Sequence, residues 1–137
     1  MTTYVDSSVL LRRVLGEQDS LDSEWLRLRP VSSALIRVEC LRAIERYRMM
    51  GAIDDETVTL RRQAVLETLA GFEIIEPTGA VLDRAADPFP VYVATLHAIH
   101  LATAVEARYA VPDLDFATHD IKLGGAAMSL GFAVIGI

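Results

Sequence analysis

Short apolar or β-branched runs alternate along this chain with longer stretches in which apolar residues recur every three or four positions. Four of the short runs read as strands: Thr3–Val5 ending at Asp6, Phe72–Ile75 ending near Pro77, Asp115–Thr118 leading to Asp120, and Phe132–Ile135. A fifth, around Pro30–Ser32, is shorter and carries less signal. The intervening periodicity predicts helices over roughly 7–16, 21–28, 34–50, 55–70, 79–86, 93–109 and 120–130. Acids at Asp54-Asp55-Glu56 open one of these, where the helix dipole favours negative charge, and Gly51 and Gly131 stand where helices end.

Strands alternating with helices imply an α/β fold: a parallel sheet of four to five strands with helices on both faces. Such sheets place their ligand site beyond the carboxyl ends of the strands, near the point where strand order reverses. Asp6 follows the first strand directly, and Asp120 follows the Asp115–Thr118 strand by two residues. Both are expected to open onto one crevice. Asp115, at the amino end of its strand, is a weaker candidate.

Composition narrows the picture. The 137 residues fit one domain spanning 1–137, and 52% hydrophobic residues with a mean hydropathy of +0.32 supply a core readily. No apolar run approaches the roughly 20 residues of a membrane helix, and the N-terminus has no basic, apolar leader, so a cytoplasmic protein is expected. A single cysteine, Cys40, excludes an intrachain disulfide and a cysteine-based zinc site; it reads as a small buried residue. The net charge of −6 argues against a general nucleic-acid coat. Its distribution is uneven, however: ten arginines, Arg12 to Arg62, lie in residues 1–68 (net −1), while residues 69–137 carry net −5. Arginine's planar fork suits phosphates, although solvated helix faces paired with nearby acids account for such residues equally well.

Three acids carry the candidate chemistry. Asp6 precedes Ser7-Ser8 and a helix, so an N-cap role accounts for it as readily as a functional one. Glu39 sits in Ala34-Leu35-Ile36-Arg37-Val38-Glu39-Cys40-Leu41, a helix apolar nearly all round and so expected to be mostly buried. A carboxylate there is costly unless paired or bound to metal, the structural alternative being a salt bridge to Arg42 or Arg46. Asp120 begins the last long helix, with Thr118 able to share the capping and His119 expected in an exposed loop. Gathered together, such acids repel one another unless a cation neutralises them, and oxygen-only ligands favour Mg²⁺ or Mn²⁺. The matching chemistry is phosphodiester hydrolysis.

The sequence also resembles the PIN-domain ribonucleases, specifically the VapC toxins of bacterial toxin–antitoxin pairs. The resemblance spans essentially the whole chain. It rests on Tyr4-Val5-Asp6-Ser7-Ser8-Val9-Leu10, Arg37-Val38-Glu39-Cys40-Leu41-Arg42-Ala43, Leu96-His97-Ala98-Ile99-His100-Leu101-Ala102-Thr103-Ala104 and Phe116-Ala117-Thr118-His119-Asp120. It implies a helix-flanked parallel sheet and an Mg²⁺- or Mn²⁺-dependent endoribonuclease acting on RNA. It also implies a homodimer silenced by a cognate VapB antitoxin. By position, Asp6, Glu39 and Asp120 become metal-site acids, and Ser7 and Thr118 become residues that position the site or its waters.

One departure stands out. Where the family carries a metal-binding aspartate, this chain has His97, which loses a charge and a hard oxygen ligand. Three outcomes are open: a shift of metal preference toward Mn²⁺, weaker metal binding, or loss of catalysis. His100, three residues on, reads as a packed, hydrogen-bonded histidine rather than a ligand. The leading expectation is therefore a metal-dependent endoribonuclease toxin whose site holds three carboxylates and His97. The alternative is a catalytically weakened PIN scaffold that acts mainly as an antitoxin-binding module. A phosphoacceptor receiver-like domain fits poorly, because it wants paired acids after the first strand and a late lysine in a loop, whereas Lys122 lies inside the last helix.

Overall fold

A computed structural model of the chain describes residues 1–18 and 29–137. The helix expected at 21–28, with Arg27, lies outside the described residues. Five strands, β1 (Thr2–Val5), β2 (Arg29–Ser33), β3 (Glu73–Ile75), β4 (Asp115–Ala117) and β5 (Val134–Ile135), form one sheet in the order β3-β2-β1-β4-β5. Every pairing is parallel. Among the described residues the helices are α1 (Ser7–Val14), α2 (Leu35–Met49), α3 (Asp55–Leu69), α4 (Gly79–Ala86), α5 (Thr95–Ala110) and α6 (Ile121–Ser129). None is long and apolar enough to cross a membrane.

The pleat of β1 explains the layers. Successive strand side chains point to opposite faces. Tyr4 joins Val31, Phe116, Leu101, Leu123 and Phe132 in the core beneath α5 and α6. Its ring stacks on Phe116 at 5.1 Å, and the two residues are register partners. Val5 turns the other way, to Val9 and Ala117. On that side Leu10, Val14, Ile36, Cys40, Ile44, Val58, Val65 and Leu69 join α1, α2 and α3. Helices thus cover both faces, as the alternating pattern implied.

Local chemistry sets the ends of the elements. Asp54 caps α3 by accepting from the Thr57 amide at 2.8 Å, and Thr78 caps α4 through the Val81 amide. Gly51 and Gly131 follow helices with φ of 72° and 88°, the left-handed conformation expected there. One expectation needs correcting. The helix carrying Glu39 is not apolar all round in its packing: Ile36, Cys40 and Ile44 are fully buried on one stripe, while Val38 is 57% exposed. The aliphatic residues that gave the impression of a wholly buried helix are split between core and surface.

Strand order fixes where a site can form. From β1 the chain fills one side of the sheet with β2 and β3, then returns to β1's other edge as β4. The reversal lies between β1 and β4, so their carboxyl ends border the crevice that such sheets use for ligands.

Candidate active site

The Asp6 amide donates to the Ala117 carbonyl at 3.2 Å, extending the β1–β4 ladder to the last residue before α1. Next to it the Thr118 amide donates to the Ile135 carbonyl at 3.0 Å. Asp6 and Thr118 are therefore held by backbone at the exits of neighbouring strands, and both are buried. Asp115 lies at the amino end of β4, away from this edge.

Asp6 occupies the N-cap position of α1, yet its side chain caps no amide of that helix. It accepts instead from the Ser8 hydroxyl at 2.6 Å. Burial raises its pKa, and the charge of Glu39 adds to the rise; hydrogen bonds from Ser8 and Thr118 and the proximity of His100 oppose it. A buried carboxyl kept uncomfortable by a second acid is the environment a cation relieves.

Glu39 reaches this centre from α2. Its Oε1 lies 2.5 Å from His100 Nε2, and the Ser7 hydroxyl donates to Oε2 at 3.4 Å. Its partners are thus His100 and Ser7 rather than the anticipated Arg42 or Arg46. Cys40 beside it is fully buried, and burial, with Glu39 and Asp6 nearby, pushes its thiol well above the usual range. Its burial bears out the reading of Cys40 as a small buried residue.

Asp120 performs two tasks. Oδ1 caps α6 through the Leu123 amide at 3.0 Å, while Oδ2 stands 3.5 Å from His97 Nε2. Thr118 Oγ1 accepts from the Asp120 amide at 3.0 Å and lies 3.4 Å from the Ser8 hydroxyl. The Ser8 oxygen also accepts from the His119 amide at 2.9 Å. Ser8 therefore joins the Asp6 and Asp120 sides of the site, a role for which the sequence had pointed to its neighbour Ser7.

His119 departs from expectation. It is half-buried, with Nδ1 2.8 Å from the Gly136 carbonyl and Nε2 buried without a partner among the described residues. Gly136 (φ 102°) permits this approach, since a Cβ there would meet the Thr118 carbonyl oxygen at 2.5 Å.

The predicted acids thus arrive at one edge of the sheet. Asp6 and Glu39 sense each other's charge, and Asp120 is tied to Asp6 through Ser8 and Thr118. They are not drawn into a closed shell: among the described residues no three His, Cys, Asp or Glu side chains form a ready metal-binding set. Instead Glu39 and Asp120 each face an imidazole. The donor chemistry, three carboxylates of which Asp6 is desolvated, nevertheless fits a hard divalent cation. Alongside Glu39 a groove of ≈600 Å³ is lined by Ser7, Leu11, Arg42, Arg46, Met49 and Leu96.

Comparison with known proteins shows the family and the fold. Residues 3–122 match the PIN domain. The chain belongs to the PIN-domain family. Among its PIN-domain relatives is Ribonuclease VapC46 of Mycobacterium tuberculosis (strain ATCC 25618 / H37Rv), 36% identical over 136 residues that cover 96% of this chain and 95% of that protein. Ribonuclease VapC35 of the same organism is 35% identical over 139 residues, covering 96% and 94%. In fold, a toxin–antitoxin complex from Klebsiella pneumoniae has a chain that superposes with a TM-score of 0.66 at 18% identity, covering 97% of this PIN domain and 95% of that chain. VapBC2 from Rickettsia felis, bound to a promoter DNA fragment, gives 0.66 at 8% identity, with coverage of 98% and 97%.

Proposed function

We propose that this PIN-domain protein is the toxin of a type II toxin–antitoxin pair, an endoribonuclease that hydrolyses RNA phosphodiester bonds with a divalent cation, Mg²⁺ or Mn²⁺. The observation that carries the proposal is the set of acids at the carboxyl ends of β1 and β4, in a chain more than a third identical, over nearly its full length, to a VapC ribonuclease. By the same relationship its partners are RNA, a VapB-type antitoxin and a second copy of itself, and its compartment is the cytoplasm.

The roles follow from the placements. Asp6, Glu39 and Asp120 would hold the cation, with His97 as the fourth group; Ser8, Ser7 and Thr118 orient the acids. A bound cation supplies an activated water and positive charge for the in-line displacement at phosphorus. Arg42 and Arg46 lie one and two turns along α2 from Glu39, in the adjoining groove, where their guanidinium groups can take the phosphates flanking the scissile bond. Binding through these contacts weakens as salt rises.

The deciding experiment uses protein freed of antitoxin and incubated with RNA. Cleavage is expected with Mg²⁺ or Mn²⁺, is stopped by chelation, and is lost in Asp6→Ala. Absence of cleavage across all divalent ions and a broad set of RNAs would sink the enzyme reading. One observation favours the weakened-scaffold alternative: His97 stands against Asp120 where the family's aspartate is expected.

A further inference from the structure

Beneath the acids runs a buried chain of polar groups that the mechanism above does not use. Tyr4 is fully buried and His100 is 1% exposed, at the centre of the α5-side core. The tyrosine hydroxyl lies 2.7 Å from His100 Nδ1, with the rings edge to face at 5.9 Å, and His100 Nε2 lies 2.5 Å from Glu39 Oε1. Both imidazole nitrogens are therefore engaged, as burial at this depth demands.

The proton directions can be assigned from the neighbours. The Ser33 amide donates to the Tyr4 oxygen at 3.2 Å. Glu39 Oε1 can only accept, so its 2.5 Å contact puts the ring proton on Nε2; Nδ1, carrying the lone pair, then accepts from the Tyr4 hydroxyl at 2.7 Å. The order is Ser33 amide to Tyr4, Tyr4 to His100, His100 to Glu39.

We propose that His100 is the positioning residue for Glu39: Tyr4 fixes the imidazole so that its Nε2–H holds Oε1, and Oε2, which takes only a long 3.4 Å hydrogen bond from Ser7, is turned to the divalent cation. The inference rests on the metal-dependent reading above. Its physical basis is that a glutamate on a helix has three rotatable bonds to order before it can serve as a ligand. A buried imidazole removes much of that freedom in advance, as the outer partners of metal ligands generally do. Tyr4 also lies two residues before Asp6 on β1. The chain therefore references the carboxylate from α2 to the strand that carries the first acid.

Mn²⁺ binding, followed by calorimetry or by loss of the free-ion paramagnetic resonance signal, tests this without relying on cleavage. His100→Ala is expected to weaken Mn²⁺ binding by about 10–100-fold, the usual consequence of losing an outer-shell partner. The informative pair is His100→Gln and His100→Asn, both polar and compatible with the core. Glutamine places an amide donor near Nε2 and should bind Mn²⁺ within a few-fold of wild type; asparagine reaches only the Nδ1 position and should resemble alanine. Tyr4→Phe should give an intermediate loss. If Gln and Asn weaken binding equally, or no variant weakens it, His100 is a packing residue and the inference is overturned. Wild-type protein that takes up no Mn²⁺ overturns the metal reading itself, and the inference with it. Should the alanine variant fail to fold, the Gln and Asn variants decide.

Discussion

Glu39 and His100 meet at 2.5 Å under cover of the core, whereas Asp120 and His97 stand 3.5 Å apart with 36% and 29% of their side chains exposed. The chemistry of the two pairs is the same; the surroundings are not. Around the first, the Tyr4 hydroxyl and the Glu39 carboxylate engage both ring nitrogens. Around the second, water competes for every contact and salt screens it. On the proposed reading His97 stands in for an aspartate, and the contrast accounts for the exchange. The exchange falls on the solvated pair, where a changed charge is absorbed, and Asp120 keeps its cap on α6 regardless.

The contrast breaks most visibly on deletion. His100→Ala leaves the Tyr4 hydroxyl and a part-buried Glu39 without their partner and opens a cavity, a loss of about 2–4 kcal/mol. His97→Ala removes an exposed contact and should cost less than about 0.5 kcal/mol. Urea denaturation of both variants in chelator, at neutral pH, measures the gap; equal losses would mean that burial does not separate the pairs.

The next effect is on chemistry. His97→Asp restores a hard oxygen ligand beside Asp120, and Mg²⁺-supported RNA cleavage is expected to rise by about tenfold, equivalent to 1.4 kcal/mol in the barrier. A large gain would favour the weakened-scaffold account of the natural chain. Robust wild-type cleavage left unchanged by the substitution would show that the histidine is tolerated as it stands.

Much of this was legible in the residue pattern, and the gaps have physical causes. Asp6 declared itself because an apolar run stops at an acid, and the alternation of elements gave the parallel sheet. The strand with the faintest signal, around Pro30, is the longest of the five, since its place between β1 and β3 is set by tertiary packing that local composition does not report. Ser7 rather than Ser8 was the expected positioning residue; adjacent residues on a helix differ by about 100° in direction, and small shifts decide which meets Asp6. His100 read correctly as packed and hydrogen-bonded, but its partner Glu39 is 61 positions away and the link appears only in three dimensions. His119 lies in a loop as expected but is half-buried; nothing nearby in sequence signals that Gly136 lets the ring approach its carbonyl.

Asp6 lies between the two pairs and allows the burial argument to be sharpened. Desolvation, reinforced by Glu39, raises its pKa from the ordinary value of 3.8. A carboxyl whose pKa is raised by folding binds its proton more tightly in the native state, so its ionisation withdraws stability as pH climbs above that value. In chelator at pH 7, Asp6→Asn should therefore stabilise the protein by about 0.5–2 kcal/mol, since the amide still accepts from Ser8 without carrying a buried charge. The advantage should shrink as pH falls toward the ordinary carboxylate range, where the wild-type residue becomes neutral too. Denaturation curves across pH test this, and a gap that stayed constant would remove desolvation as its cause.

The smallest effect on stability belongs to Asp120, and it separates that residue's two roles. Asparagine caps a helix about as well as aspartate, so Asp120→Asn should alter unfolding free energy by only a few tenths of a kcal/mol, while Asp120→Ala loses about 1 kcal/mol with the cap to Leu123. Both substitutions remove the negative charge that faces His97. If Asp120 serves α6 alone, the asparagine variant keeps Mn²⁺ binding and cleavage along with its stability. If it is a metal-site acid, Asn and Ala lose both alike, and the loss appears in a protein whose fold is undisturbed. That divergence between an intact cap and a failed site is what a half-buried carboxylate with one oxygen in the helix and the other in the crevice should produce.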